Sequence, residues 1–136
     1  QKAVFNNEDN NVEVYIAQGN HNEDDIGEGC ELTSETIHVT GHVGAKTILH
    51  CRELTIDGAT HDSSQQYAKE AHINRHKGTL TCHKADIKVL EGGEVHASEV
   101  NIGTALSGCV YAHNVNIDLV KHNLKIYASQ SITIEK

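Results

Sequence analysis

The sequence predicts an all-β fold, a single-stranded right-handed parallel β-helix of about seven rungs behind an irregular N-terminal segment. Three observations predict it. Apolar pairs recur along most of the chain at a period near 15 residues. Within each pair the members are two residues apart, so both point to one side of a strand. The core-forming residues are Val, Ile, Leu and Ala, with one Phe, no Trp and no Met. That palette suits a thin core of stacked layers, because each line alone is too small to bury its own apolar face.

Residues 1–36 form the irregular segment or cap. Val12, Val14 and Ile16 alternate as in a strand. An acidic stretch from Gly19 to Gly29 follows. It lacks the D-x-D-x-D-G spacing of a calcium loop, so it reads as a solvated turn. Gly27 and Gly29 flank Glu28, whose charge would repel a phosphate. Cys30, Leu32 and Ser34 read as a last strand before the regular array.

Residues 37–136 form the repeats. Lines start at Ile37, Leu54, Ala71, Ala85, Val100, Val115 and Ile132, with spacings of 17, 17, 14, 15, 15 and 17. The partners two residues on are Val39, Ile56, Ile73, Ile87, Ile102, Ile117 and Ile134. Second pairs are expected at Ile48/His50, Gln66/Ala68, Leu80/Cys82, Val95/Ala97, Val110/Ala112 and Ile126/Ala128. Single corner residues are expected at Val43, Ala59, Leu90, Leu106 and Val120. Gly78, Gly93 and Gly108 stand two residues before a second pair, where a positive-φ bend fits. Left-handed hexapeptide helices stride in sixes, which these spacings break. An antiparallel sandwich would not need equivalent positions to recur line after line with the same residue size. The line from Leu54 to Lys69 is the weakest, since Gln66 takes an apolar place beside the polar run from His61 to Gln65.

Bulk properties exclude several function classes. The formal charge is −8, and the 11 Lys and Arg are scattered, so nucleic acid is a poor partner. No apolar run is long enough to span a membrane. No secretory leader is recognisable. The missing initial Met and the end just past Ile134 suggest a piece excised from a longer protein. The four cysteines have no metal-ribbon spacing and read as reduced thiols, which points to the cytoplasm.

No catalytic, cofactor or metal site emerges, and the protein reads as a non-enzyme. Carboxylates are spread out. His61, Asp62, Ser63 and Ser64 are consecutive, and neighbours in a loop do not make a triad. The 11 histidines raise the question of metal. His72 and His76 would need a turn between them to share an ion, since extended chain separates them by about 13 Å. Histidines at His83 and His113 fall two rungs apart. His50 takes an inward-pattern place, with its ring expected near backbone groups at a corner. One outward column, Thr81, His96, Tyr111, Tyr127, gathers two of the four tyrosines. His96, Tyr111 and Tyr127 are therefore the expected interaction face.

The run GGEVHASEVNIGTALSGCVYAHNVNIDLVKHNLKIYASQSITIE, from Gly92 to Glu135, resembles the β-helical region of the bacterial flagellar assembly protein A (FapA) family. The stretch from Gly27 to Ala59 is similar to that family's preceding lines. The chain departs from the glycine-rich family pattern at His50, Cys51, Cys82, His83 and Cys109. The resemblance implies a β-helix scaffold, a protein-interaction domain of a cytoplasmic bacterial protein that supports flagellar assembly or its spatial control. Its partners would be proteins, with end-to-end or face self-association as a further mode. Bactofilins and the cell-division inhibitor MinC also stack β-rungs, so a polymer-forming cytoskeletal element is the alternative function. A metal-binding or carbohydrate-active β-helix is a more distant one.

Overall fold

The structure, a computed structural model, describes Val4–Asn7 and Glu13–Ile16 as backbone strands and residues 29–135 in full. Among the described residues there is no helix; parallel strands stack into a β-solenoid of about seven turns. One wall carries β1 (Val4–Asn7), β3 (Glu31–Ser34), β5 (Ile48–His50), β7 (Gln65–Tyr67), β9 (Thr79–Thr81) and β11 (Glu94–His96). The other carries β2 (Glu13–Ile16), β4 (Thr36–Val39), β6 (Glu53–Ala59), β8 (Glu70–His76), β10 (Lys84–Leu90) and β12 (Glu99–Ala105). The last two strands, β13 (Gly108–Val120) and β14 (Leu124–Ile134), run through both walls.

Stacking makes each wall a set of columns. Ile37, Leu54, Ala71, Ala85, Val100 and Val115 form one inward column. Val39, Ile56, Ile73, Ile87, Ile102 and Ile117 form the next. Every member is buried. Burying one such aliphatic side chain stabilises by about 1.5–3 kcal/mol, so the columns are the principal source of stability. The opposite wall contributes Leu32, Leu49, Gln66, Leu80, Val95, Val110 and Ile126.

Several positions differ from the sequence reading. The ladder continues below residue 37: β3 and β4 belong to one rung, and β1 and β2 pair with them in parallel. The boundary expected at 36/37 therefore cuts a rung. The longer stretch between β2 and β3 breaks the period that revealed the later lines. In β5 the inward residue is Leu49, while Ile48 and His50 face out. Cys51, not His50, then lies in the terminal place later held by Ala and Cys. The corner column is Val43, Thr60, His76, Leu90, Ala105 and Val120. Thr60 and Ala105 take the places expected for Ala59 and Leu106: the inward corner residue comes four positions after Ile56 and three after Ile102, as it does after Ile73, Ile87 and Ile117. An added Cβ at Gly58 would stand 2.2 Å from the Gly41 carbonyl oxygen, so only glycine passes there.

Gly93 and Gly108 adopt φ of 76° and 124°, as the turn pattern requires. Gly78 does not. It is glycine because Ser64 Oγ would lie 2.6 Å from an added Cβ. The weak line holds as a strand, with Gln66 buried between Leu49 and Leu80. Its Nε2 donates to Ser64 Oγ at 2.7 Å, and Ser64 Oγ donates to the His61 carbonyl at 2.6 Å. That loop supplies a partner for the amide nitrogen, while Gln66 Oε1 is buried without one.

Candidate interaction face

Each outward position repeats once per rung, so a single residue type recurring in one column becomes a continuous stripe. One outward column across β3, β5, β7, β9, β11, β13 and β14 reads Thr33, His50, Tyr67, Thr81, His96, Tyr111, Tyr127. His96 stacks on Tyr111 with centroids 4.6 Å apart and planes 5° apart. Tyr111 stacks on Tyr127 at 4.9 Å and 7°. The structure thus brings the three expected residues together. The rung spacing of about 4.8 Å imposes this geometry, since parallel in-register strands place equivalent side chains directly above one another. Tyr111 is 37% exposed and Tyr127 56%, so their ring edges and hydroxyls meet solvent.

The column also holds a second stack. His50 and Tyr67 lie 4.8 Å apart with planes 7° apart. The sequence carries a signal for this pair. Each stacked residue immediately precedes the small terminal residue of its line: His50 before Cys51, Tyr67 before Ala68, Tyr111 before Ala112. Placing His50 inward concealed it.

Short polar contacts fix the rings. His96 Nε2 lies 2.9 Å from Glu94 Oε1, two residues back on the same face. Tyr67 Oη donates to Gln65 Oε1 at 2.8 Å. Partial desolvation in the stack, with Cys109, Tyr127 and Glu94 close by, raises the Tyr111 phenol above its ordinary value. The hydroxyl therefore stays neutral and can donate or accept.

The remaining histidines are distributed differently. His72 faces out, 3.6 Å from Asp86, whereas His76 is buried in the corner column. The in–out alternation of β8 slips between Ile73 and His76, so the two lie on opposite sides of the wall. His38 meets Asp57 at 3.0 Å on the same outer wall as His72. In the 61–64 loop, His61 Nδ1 faces both Ser63 Oγ at 3.0 Å and Asp62 Oδ1 at 2.8 Å. A relay needs the base and the orienting acid on different ring nitrogens, so this cluster is not arranged as a triad.

No protein-family model, curated protein or solved structure matches the chain. A rigid, flat stripe of stacked rings with polar edges offers large contact area at little conformational cost. Among the described residues, no helix is long and apolar enough to cross a membrane.

Proposed function

We propose that this β-solenoid is a non-catalytic scaffold that presents the His96–Tyr111–Tyr127 stripe to a protein partner. The observation that carries the reading is the stripe itself. Three of its rings stand in register on consecutive rungs, and the two tyrosines remain open to solvent. Tyrosines are favoured at protein interfaces because one ring offers an apolar body and a hydroxyl handle. The walls beneath are held by parallel hydrogen bonding throughout, so the stripe is pre-ordered and loses little entropy on binding.

The resemblance of the Gly92–Glu135 lines to the flagellar assembly protein A family supports placing the partner among flagellar or cell-pole proteins of a bacterial cytoplasm. The test is an interaction screen of this domain against such proteins, repeated with Tyr111→Ser and Tyr127→Ser. A partner lost on both substitutions, with folding intact by circular dichroism, supports the reading. Absence of any partner, together with normal motility after deletion of the gene, overturns it. Filaments seen by electron microscopy would instead favour a polymer-forming element.

A further inference from the structure

The aromatic column is interrupted once, at Thr81. Tyr67, Thr81 and His96 are register partners on three consecutive rungs. One face of Tyr67 is covered by His50, and one face of His96 by Tyr111. The other two faces look toward each other across the Thr81 rung. Two rung spacings separate them, about 9.6 Å. One planar ring placed midway would have each neighbour at about 4.8 Å, the spacing the column uses everywhere else.

The adjacent outward column repeats the pattern. Gln65, Thr79 and Glu94 are aligned on the same rungs. Above the gap, Gln65 Oε1 accepts from Tyr67 Oη; below it, Glu94 Oε1 sits against His96 Nε2. The gap thus has aromatic end walls, a floor of two threonines and an acceptor-rich rim. A carboxylate keeps further lone pairs beyond the one that meets His96, and an amide oxygen keeps a second.

We propose that this slot takes one planar aromatic ring bearing an N–H donor on its edge, namely the indole of a partner protein's tryptophan. A phenyl ring would fill the slot and leave the rim unused. A free ring held only between two exposed faces binds weakly, in the millimolar range, which suits an anchor within a larger interface rather than a small-molecule site. The inference rests on the interaction-face reading above and extends that face from His96 back to Tyr67.

Indole itself is the probe. With threonine methyl groups labelled for NMR, indole should shift the Thr79 and Thr81 methyl signals upfield, saturably, through its ring current. Cyclohexanol, of similar size and without a ring current or flat face, should not. Thr81→Tyr fills the slot with a ring already tolerated at Tyr111, and should lower indole affinity at least tenfold. His72→Ala, on the other wall, should leave it unchanged. Absence of the methyl shifts, or equal indole binding by Thr81→Tyr, overturns the slot. The indole titration needs no partner, so its failure removes the slot alone. Failure of the partner screen removes tryptophan as the occupant while indole binding remains measurable.

Discussion

Acid should destabilise this protein through His76 in particular. The ring is buried in the corner column between Thr60 and Leu90. Its Nε2 lies 3.2 Å from the Glu94 carbonyl oxygen, which can only accept, so Nε2 carries the hydrogen. Nδ1 is then an acceptor for Thr60 Oγ1 at 2.9 Å. Thr60 Oγ1 in turn accepts from the Lys77 and Gly78 amides at 2.9 and 3.1 Å. A second ring proton would leave the low-dielectric core with a charge and face the hydroxyl with a donor. Desolvation by burial is the largest cause, and it lowers the His76 pKa from 6.5 to about 4, against smaller raising contributions from the Glu94 and Gly78 backbone.

The folded state therefore holds fewer protons than the unfolded chain between these values. Stability from the neutral ring is fully present above about pH 6.5 and is lost as pH falls toward 4. At about 1.4 kcal/mol per unit, the whole effect is about 3 kcal/mol. The assay is denaturant unfolding at pH 7.5 and pH 4.5 for the native chain and for His76→Leu, which matches the column neighbour Leu90. The native chain should lose about 2–3 kcal/mol more than the variant over that interval. Contributions from every other group are common to both proteins and cancel in the comparison. An equal loss in the two would refute the assignment, whatever the variant's absolute stability.

Three further expectations rest on the adjacent glycines, the buried amide and the buried thiols. Gly93→Ala should cost well over 1 kcal/mol, because φ is 76° and the new Cβ would stand 2.1 Å from the Lys77 carbonyl oxygen. Gly92→Ala, with open space around it, should be near neutral in the same unfolding experiment. Gln66→Leu should stabilise by about 1 kcal/mol, since Gln66 Oε1 is buried without a hydrogen-bond partner and its column neighbours are Leu49 and Leu80. A fall in the unfolding midpoint would count against that view. Burial pushes the Cys51 and Cys82 thiols up to about 12, so at pH 8 a disulfide reagent should label them roughly a thousandfold more slowly in the folded than in the unfolded chain, as mass mapping of the labelled peptides would show.

The repeat could be read from residues 37–136 because an inward position in a solenoid must suit the same layer at every turn. Apolar size at Ile37, Leu54 and Ala71, or at Val95 and Val110, is therefore written into the spacing. So is the stripe of His96, Tyr111 and Tyr127, which follows once the lines are aligned on their terminal Ala. The His50–Tyr67 stack was less legible. Ile48, Leu49 and His50 allow two alternations, and only pairing with Glu31–Thr33 and Gln65–Tyr67 selects the one with Leu49 inside. A shift of one residue inverts a strand's two faces, so sequence periodicity alone cannot choose when both alternations offer an apolar residue.

What the sequence by itself determined is the solenoid class, its inward columns and the outer aromatic stripe, because local period and side-chain size are sufficient for these. Only the tertiary structure decided which polar residues go inside. Thr60, Gln66 and His76 each lie at a place where an apolar side chain is expected, and each is admitted by partners from another rung or the neighbouring loop. The gap at Thr81 is likewise invisible along the chain. It becomes a slot only because stacking sets Tyr67 above and His96 below, residues separated in sequence and brought to a fixed distance by the parallel ladder.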